Sequence, residues 1–172
     1  MLVSVKPPGW AVRHPLAPQE DAVYHAAVER IARRNFERVN AHDYEPLLAG
    51  CAPDIHHRFG GDHALGGQRH DVEHLRAWFH RLARVCPTLQ VRVTDVWVTG
   101  LPHRTTIVMR WDATQEMPDG SPYLNHGVHV ITMRWLKVTA IDANEDSQAV
   151  DRALAVIAAH GVDEAAAAPI TS

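Results

Sequence analysis

The strongest constraint on the fold of this chain is a change of pattern near residue 89. From residue 89 to 146, β-branched and aromatic residues recur in four long alternating runs, separated by the turn signals Leu-Pro-His-Arg and Pro-Asp-Gly. Before residue 87, apolar residues recur three and four apart, as in amphipathic helices, around one short strand at "DIHHRF". Helices followed by an antiparallel meander predict an α+β domain whose bent sheet folds against N-terminal helices.

The length of 172 residues fits one domain with tails. We expect an extended arm over residues 1–18, one domain over residues 19–161 and a flexible, alanine-rich tail over residues 162–172. The arm has no continuous apolar segment and is interrupted by prolines, so we predict neither a signal peptide nor a membrane span there.

Composition narrows the classes of partner and the compartment. A net charge of -3 gives no basic excess, so we expect neither nucleic acid nor a membrane as partner. Cys51 and Cys86 are the only cysteines and both lie in apolar segments. They predict two buried thiols rather than a disulfide, and therefore a cytoplasmic protein.

The faces of the central hairpin depend on its turn. If Asp119-Gly120 forms a two-residue turn, Asp112 lies opposite Gly127 and Arg110 opposite His129. One face then carries a polar set, namely Val108, Arg110, Asp112, Thr114, Asn125, Gly127, His129 and Ile131. The other face is apolar. Either the apolar face packs on the core and Arg110 and Asp112 are solvated, or the polar face lines a cavity and a second subunit covers the apolar one.

Four segments, in this order and spacing, resemble the SnoaL-like branch of the nuclear transport factor 2-like superfamily over residues 20 to 160. They are "NAHDYEPLLAGCAPDIHHRF", "LGGQRHDVEHLRAWFHRL", "PDGSPYLNHGVHVITMRW" and "NEDSQAV". The branch includes polyketide cyclases, ketosteroid isomerase and limonene epoxide hydrolase. The resemblance implies a cone-shaped curved sheet around helices, a deep and mostly apolar pocket, and a homodimer formed through the outer sheet face. It favours the polar face as the cavity lining.

Arg110-Trp111-Asp112 resembles the Arg-x-Asp of limonene epoxide hydrolase. That enzyme uses a second carboxylate on the last strand, and Ala143 stands in the matching position here. Glu145 or His129 could complete the set. On this resemblance Asp112 is the expected base, Arg110 its orienting partner and His129 a second proton carrier, without any cofactor.

Further candidates surround this set. They are the expected substrate-binding residues Asn35, His56, Arg58, Trp78, Trp97, Asn125 and Glu145. Asn35 falls within the apolar stripe of the first helix, where an unsatisfied amide would cost about 1 to 3 kcal/mol. His56 and Arg58 share one face of the first strand. Trp78 and Trp97 are possible apolar walls, although large aromatic residues are more often core.

A zinc site is not expected. "HDVEH", residues 70 to 74, fits the inverted zinc-protease pattern, but His70 and His74 fall away from the apolar side of their helix. From the resemblance we expect the protein to bind a small, mostly apolar molecule. One alternative is that it also performs isomerase, cyclase or hydratase chemistry, and the other is non-catalytic binding or assembly.

Overall fold

The computed structural model describes residues 19–172, so the predicted arm lies outside the described residues. The helices are α1 (Gln19–Asn40), α2 (Glu45–Leu48), α3 (Val72–Val85) and α4 (Ser147–Ala159), followed by the 3₁₀ helix η1 (Asp163–Ala166). The strands are β1 (Cys51–Phe59), β2 (Gly67–Arg69), β3 (Gln90–Leu101), β4 (Arg104–Glu116), β5 (Pro122–Arg134) and β6 (Lys137–Glu145). The predicted order of helices and strands is confirmed.

Helix α3 illustrates how the sequence sets an element. The Asp71 side chain caps it by accepting a hydrogen bond from the backbone N–H of His74 at 2.8 Å. Its apolar stripe buries Leu75, Phe79 and Leu82, and the helix ends two residues before Pro87. Burial of this stripe, rather than helix propensity alone, holds α3 in place.

All six strands form one curved, open sheet in the order β2-β1-β6-β5-β4-β3. The predicted antiparallel sheet needs one correction, because β1 and β6 pair in parallel. Helix α1 packs against β3 on the concave side, where Val28 and Ala32 join Met109 and Ile131 in one apolar cluster. A second cluster joins α2, α3 and α4 to the other end of the sheet. Both cysteines are buried free thiols, as predicted.

The predicted register of the β4–β5 hairpin is wrong by one residue. Asp112 lies opposite His126, and Trp111 lies opposite Gly127. Glu116 pairs with Pro122, which leaves five residues in the connection, and an odd number reverses the predicted parity. The reason is the position of the turn: Gly120 N–H donates to the Met117 carbonyl, so the Pro-Asp pair is central and the glycine follows at φ 75°.

The last eleven residues also differ from the expected flexible tail. They include η1, whose Ala165 is buried, and the Ala168 carbonyl accepts a hydrogen bond from Arg81 at 2.7 Å. At the end of the chain, Ser172 N–H donates to the Gln68 carbonyl of β2. Within the described part of the chain, no helix combines the length and the apolar character that a membrane crossing requires.

Candidate functional site

A cavity of about 170 Å³ lies between the helices and the concave face of the sheet. For comparison, an apolar cavity of about 150 Å³ in another protein binds benzene. Most of the lining is aliphatic or aromatic, and among residues 19–172 no Asp, Glu, Lys or Arg contributes to it. Its polar members are Asn35, His57, Gln115, Asn125 and His129, together with the polar ends of Trp78, Trp111 and Tyr123.

His129 lies on β5 between two aromatic rings. Its imidazole centroid is 5.4 Å from that of Phe36 on α1 and 5.4 Å from that of Trp111 on β4. Its Nε2 is buried and has no hydrogen-bond partner among the described residues. Burial lowers the pKa of this imidazole to about 4, because the charged form would lose its hydration. His129 is therefore neutral near pH 7, and its unpaired Nε2 can accept or donate a hydrogen bond to a bound molecule, depending on the tautomer.

The position of the Trp111 indole depends on Gly127, the residue opposite it on β5, which has no side chain. A Cβ on Gly127 would come within 2.5 Å of the Trp111 ring and within 2.5 Å of the Asn144 carbonyl oxygen. The glycine thus lets the indole lie across β5 beside His129. Trp111 is 5% exposed, and its Nε1, a donor, has no partner among the described residues.

His57 occupies the other end of the polar set, on β1. Its ring meets that of Trp78 edge-on, with centroids 4.7 Å apart, and its Nδ1 is buried without a partner among the described residues. Burial, reinforced by the positive charge of Arg69, holds the pKa of His57 well below its usual value. His57 and His129 are both on the concave face of the sheet, separated by β6.

The side-chain amides that line the cavity differ in how many of their hydrogen bonds are formed. Asn125 donates to the Tyr123 hydroxyl at 3.0 Å and to the Asp146 carbonyl at 3.3 Å, and its oxygen accepts two backbone N–H groups. Gln115 donates to the Met117 sulfur, but its Oε1 is buried and unpaired within the described chain. Asn35 accepts a bond from Arg38 at 3.3 Å. Gln115 is thus the amide with an unmet hydrogen bond.

Arg110 and Asp112 do not line the cavity, so that part of the predicted set is wrong. Both lie on the outer face of the sheet, opposite the buried Met109 and Trp111, and their side chains are 58% and 47% exposed. Arg110 pairs with Asp95 at 3.4 Å and stacks over the Trp97 ring, whereas Asp112 pairs with Arg92 at 2.6 Å. For β4 the first of the two interpretations is correct, with the apolar face on the core and the charges solvated outside. For β5 neither holds, because Asn125 and His129 point to the cavity rather than to the side of Arg110 and Asp112.

The remaining predicted residues divide between the two sides. Asn35, Trp78, Asn125 and His129 line the cavity. His56 bonds to Gln68, Arg58 pairs with Asp142, and Trp97 is 49% exposed, so none of these three is a lining residue.

Glu145 is not a lining residue of the cavity. Its Oε1 accepts from Ser147 at 2.8 Å, and burial raises the pKa of its carboxyl group. Ala143, the position without the second carboxylate, lies opposite His129 and is fully buried.

Four polar lining residues are absent from the predicted set: His57, Trp111, Gln115 and Tyr123. The sequence does indicate the inward position of His57. Alternate residues of a strand share a face, so His57 lies on the same face as the apolar Ile55 and Phe59, whereas His56 and Arg58 lie on the other face. Trp111 belonged to the apolar face of β4. Nothing in the pattern distinguishes Gln115 from an exposed strand-end residue.

Comparisons with known proteins bear on the family and the fold. The model of the "SnoaL-like domain" family matches residues 32–141, which is more than half of the chain. A polyketide cyclase-like protein of Xanthomonas campestris is 17% identical, with a TM-score of 0.50, and the match covers 68% of this chain and 87% of that one.

TerC, co-crystallised with polyporic acid, is 19% identical over 76% of this chain and 97% of its own, with a TM-score of 0.58. An NTF2-like protein of unknown function from Burkholderia pseudomallei has 17% identity, a TM-score of 0.61 and coverage of 73% and 95%. At these identities the likeness shows the fold. No curated protein matches this sequence significantly.

Proposed function

Since this chain belongs to the SnoaL-like family, we propose that it binds a small, mostly apolar organic molecule in the cavity and performs cofactor-free acid–base chemistry on it. One observation carries the proposal. Four side chains that line an otherwise apolar cavity each have a buried polar atom without a partner in the described chain: His57 Nδ1, Trp111 Nε1, Gln115 Oε1 and His129 Nε2. Native proteins rarely leave such atoms unpaired, because each costs about 1 to 3 kcal/mol. Polar groups of a bound molecule are their natural partners.

The chemistry we propose is removal of a proton next to a carbonyl group. Neutral His129 accepts the proton at Nε2 as the carbon–hydrogen bond breaks, and the electron pair moves onto the carbonyl oxygen. Trp111 Nε1–H donates to that oxygen as it becomes negative. Return of the proton from His129 to another carbon of the conjugated enolate gives isomerisation. Attack of the enolate carbon on a second carbonyl forms a carbon–carbon bond, and the resulting alkoxide oxygen takes the proton back from His129, which gives cyclisation.

A direct test follows the exchange of α-protons of the bicyclic ketone 2-tetralone for deuterium in D₂O by NMR. The protein should accelerate this exchange, and His129→Gln should reduce the acceleration by about 10²-fold or more. The control is Asp112→Asn, which should leave the rate unchanged because Asp112 is on the outer face. Loss of rate in Asp112→Asn with full rate in His129→Gln would reverse the assignment. Saturable ketone binding with no exchange in any variant would favour the non-catalytic alternative.

We also propose that the outer face of the sheet pairs with a second copy of this chain. Trp97, Val108 and Val130 lie opposite one another across β3, β4 and β5, which makes an apolar row flanked by ion pairs. Val130→Glu should convert a dimer into a monomer in sedimentation velocity, whereas Val23→Glu on exposed α1 should not. A wild-type monomer at high concentration would refute the dimer.

A further inference from the structure

Arg69, at the end of β2, is a fully buried cation that pairs with no carboxylate of the described residues. Its side chain is 0% exposed, and its hydrogen bonds go to the carbonyl oxygens of Leu65 and Gly67, while Nε has no partner in the described chain. Glu164, an acidic residue in this part of the molecule, pairs with Arg81 and Arg84 instead. A buried charge without a counter-charge is strongly unfavourable. An anion that binds near Arg69 would remove this unfavourable term.

Arg69 lies directly behind one wall of the cavity. It is the cross-strand neighbour of His57 in the β1–β2 pair. Its guanidinium carbon is 5.5 Å from the centre of the Trp78 ring, and the His57 ring contacts the same indole. Since His57 and Trp78 both line the cavity, the positive charge acts on its His57 end through one layer of side chains.

Nothing in the cavity lining compensates this charge. Among the described residues no carboxylate contributes to the lining, and the two histidines are neutral, since burial lowers the pKa of each. In an interior of low effective dielectric constant, an uncompensated positive charge attracts an anion more strongly than it would in water. The unpaired Nδ1 of His57, when it carries the proton, is a hydrogen-bond donor at the same end.

We infer that the ligand of this cavity carries an acidic group, a carboxylate, phenolate or enolate, which binds at the His57 end under the charge of Arg69. This inference rests on the proposed binding function and narrows its substrate class. It also gives the two ends of the cavity separate tasks, with His57 and Arg69 holding the acidic group and His129 and Trp111 acting on the remainder.

Benzoate and benzamide form a matched pair of probes, because they have nearly the same shape and differ in charge. In calorimetric titrations at pH 7, wild-type protein should bind benzoate about tenfold or more tightly than benzamide. Arg69→Met should abolish this preference. Arg92→Gln removes the same charge from the outer face, where the side chain is 77% exposed, and should retain the preference.

A second measurement needs only the wild-type protein, in case Arg69→Met does not fold. The absorbance of bound 4-nitrophenol reports its ionisation, and its pKa should fall on binding. A rise would overturn the inference, because an uncharged apolar cavity favours the neutral phenol. Equal or tighter binding of benzamide would also overturn it and leave the binding function intact. If neither benzamide nor benzoate binds, and 2-tetralone does not bind either, the binding function and the inference both fail.

Discussion

The two faces of β4 carry opposite chemistry within four residues. Met109 and Trp111 point inward and are 0% and 5% exposed, whereas Arg110 and Asp112 point outward and make ion pairs with β3. The inward residues face the apolar interior, where a polar atom without a hydrogen-bond partner destabilises the folded state. The outward residues are in solvent, where water solvates a charge and an exposed ion pair contributes little to the free energy of unfolding. Residue type alone would direct attention to the charged pair, but the buried polar atoms without a partner in the described chain belong to the neutral indole and imidazole.

The largest expected difference between the faces is in stability. Trp111→Ala should lower the free energy of unfolding by about 3 to 5 kcal/mol, because it removes a large buried side chain. Arg110→Ala, the matched change one residue away, should lower it by at most about 1 kcal/mol, since its partners are exposed. Urea unfolding monitored by circular dichroism measures both. Similar losses for the two variants would mean that the inward and outward assignment is wrong.

A second difference is in the response of stability to acid. The folded state holds the pKa of His129 at about 4, below the value of 6.5 in an unfolded chain. The unfolded state therefore binds an extra proton as the pH falls from 6.5 to 4, and stability decreases over that window by up to about 3 kcal/mol from this residue. Above pH 6.5 this contribution is fully present and constant. His57 and His63, whose pKa values burial also lowers, act in the same direction.

His129→Gln should make the decrease between pH 6.5 and 4 smaller, as followed by urea unfolding at several pH values. His126→Gln is the control, because it removes an imidazole from the exposed face of the same strand. An unchanged acid slope in His129→Gln would show that the imidazole is already charged or solvated in the folded protein.

The smallest expected effect is on the outer face itself. A double-mutant cycle on Arg92→Ala and Asp112→Ala should give a coupling energy of about 0 to 1 kcal/mol, because the Arg92 side chain is 77% exposed. The coupling should weaken further in high salt. A coupling above about 2 kcal/mol would mean that this pair is shielded from solvent, and the outward, solvated assignment of Asp112 would be wrong.

The sequence predicted much of this fold because several signals are local. Asp71 and Pro87 mark the ends of α3, and period-two alternation marks β3 to β6. The alternation within β4 also predicts Trp111 on the face opposite Arg110 and Asp112, and the structure agrees. What failed was the relation between strands, because the number of residues between β4 and β5 sets it, and "PDG" fits both an even and an odd connection.

The candidate site was less predictable because the side chains that line it come from distant segments. Phe36, Trp111 and His129 meet only when α1 packs into the sheet. The charge of Arg69 is buried and has no carboxylate partner in the described chain, and a sequence pattern records neither property. His57 is the exception, because the apolar residues two positions before and after it on β1 indicate that this face points inward.

The most direct test of the account uses the indole N–H resonances of the five tryptophans in a ¹H–¹⁵N correlation spectrum. On titration with 2-tetralone, the Trp111 resonance, assigned from a Trp111→Phe variant, should shift and saturate with a single dissociation constant. The exposed Trp97 and Trp135 resonances should not move. A saturable shift of Trp97 with an unmoved Trp111 would place the ligand on the outer face and contradict the proposed cavity site.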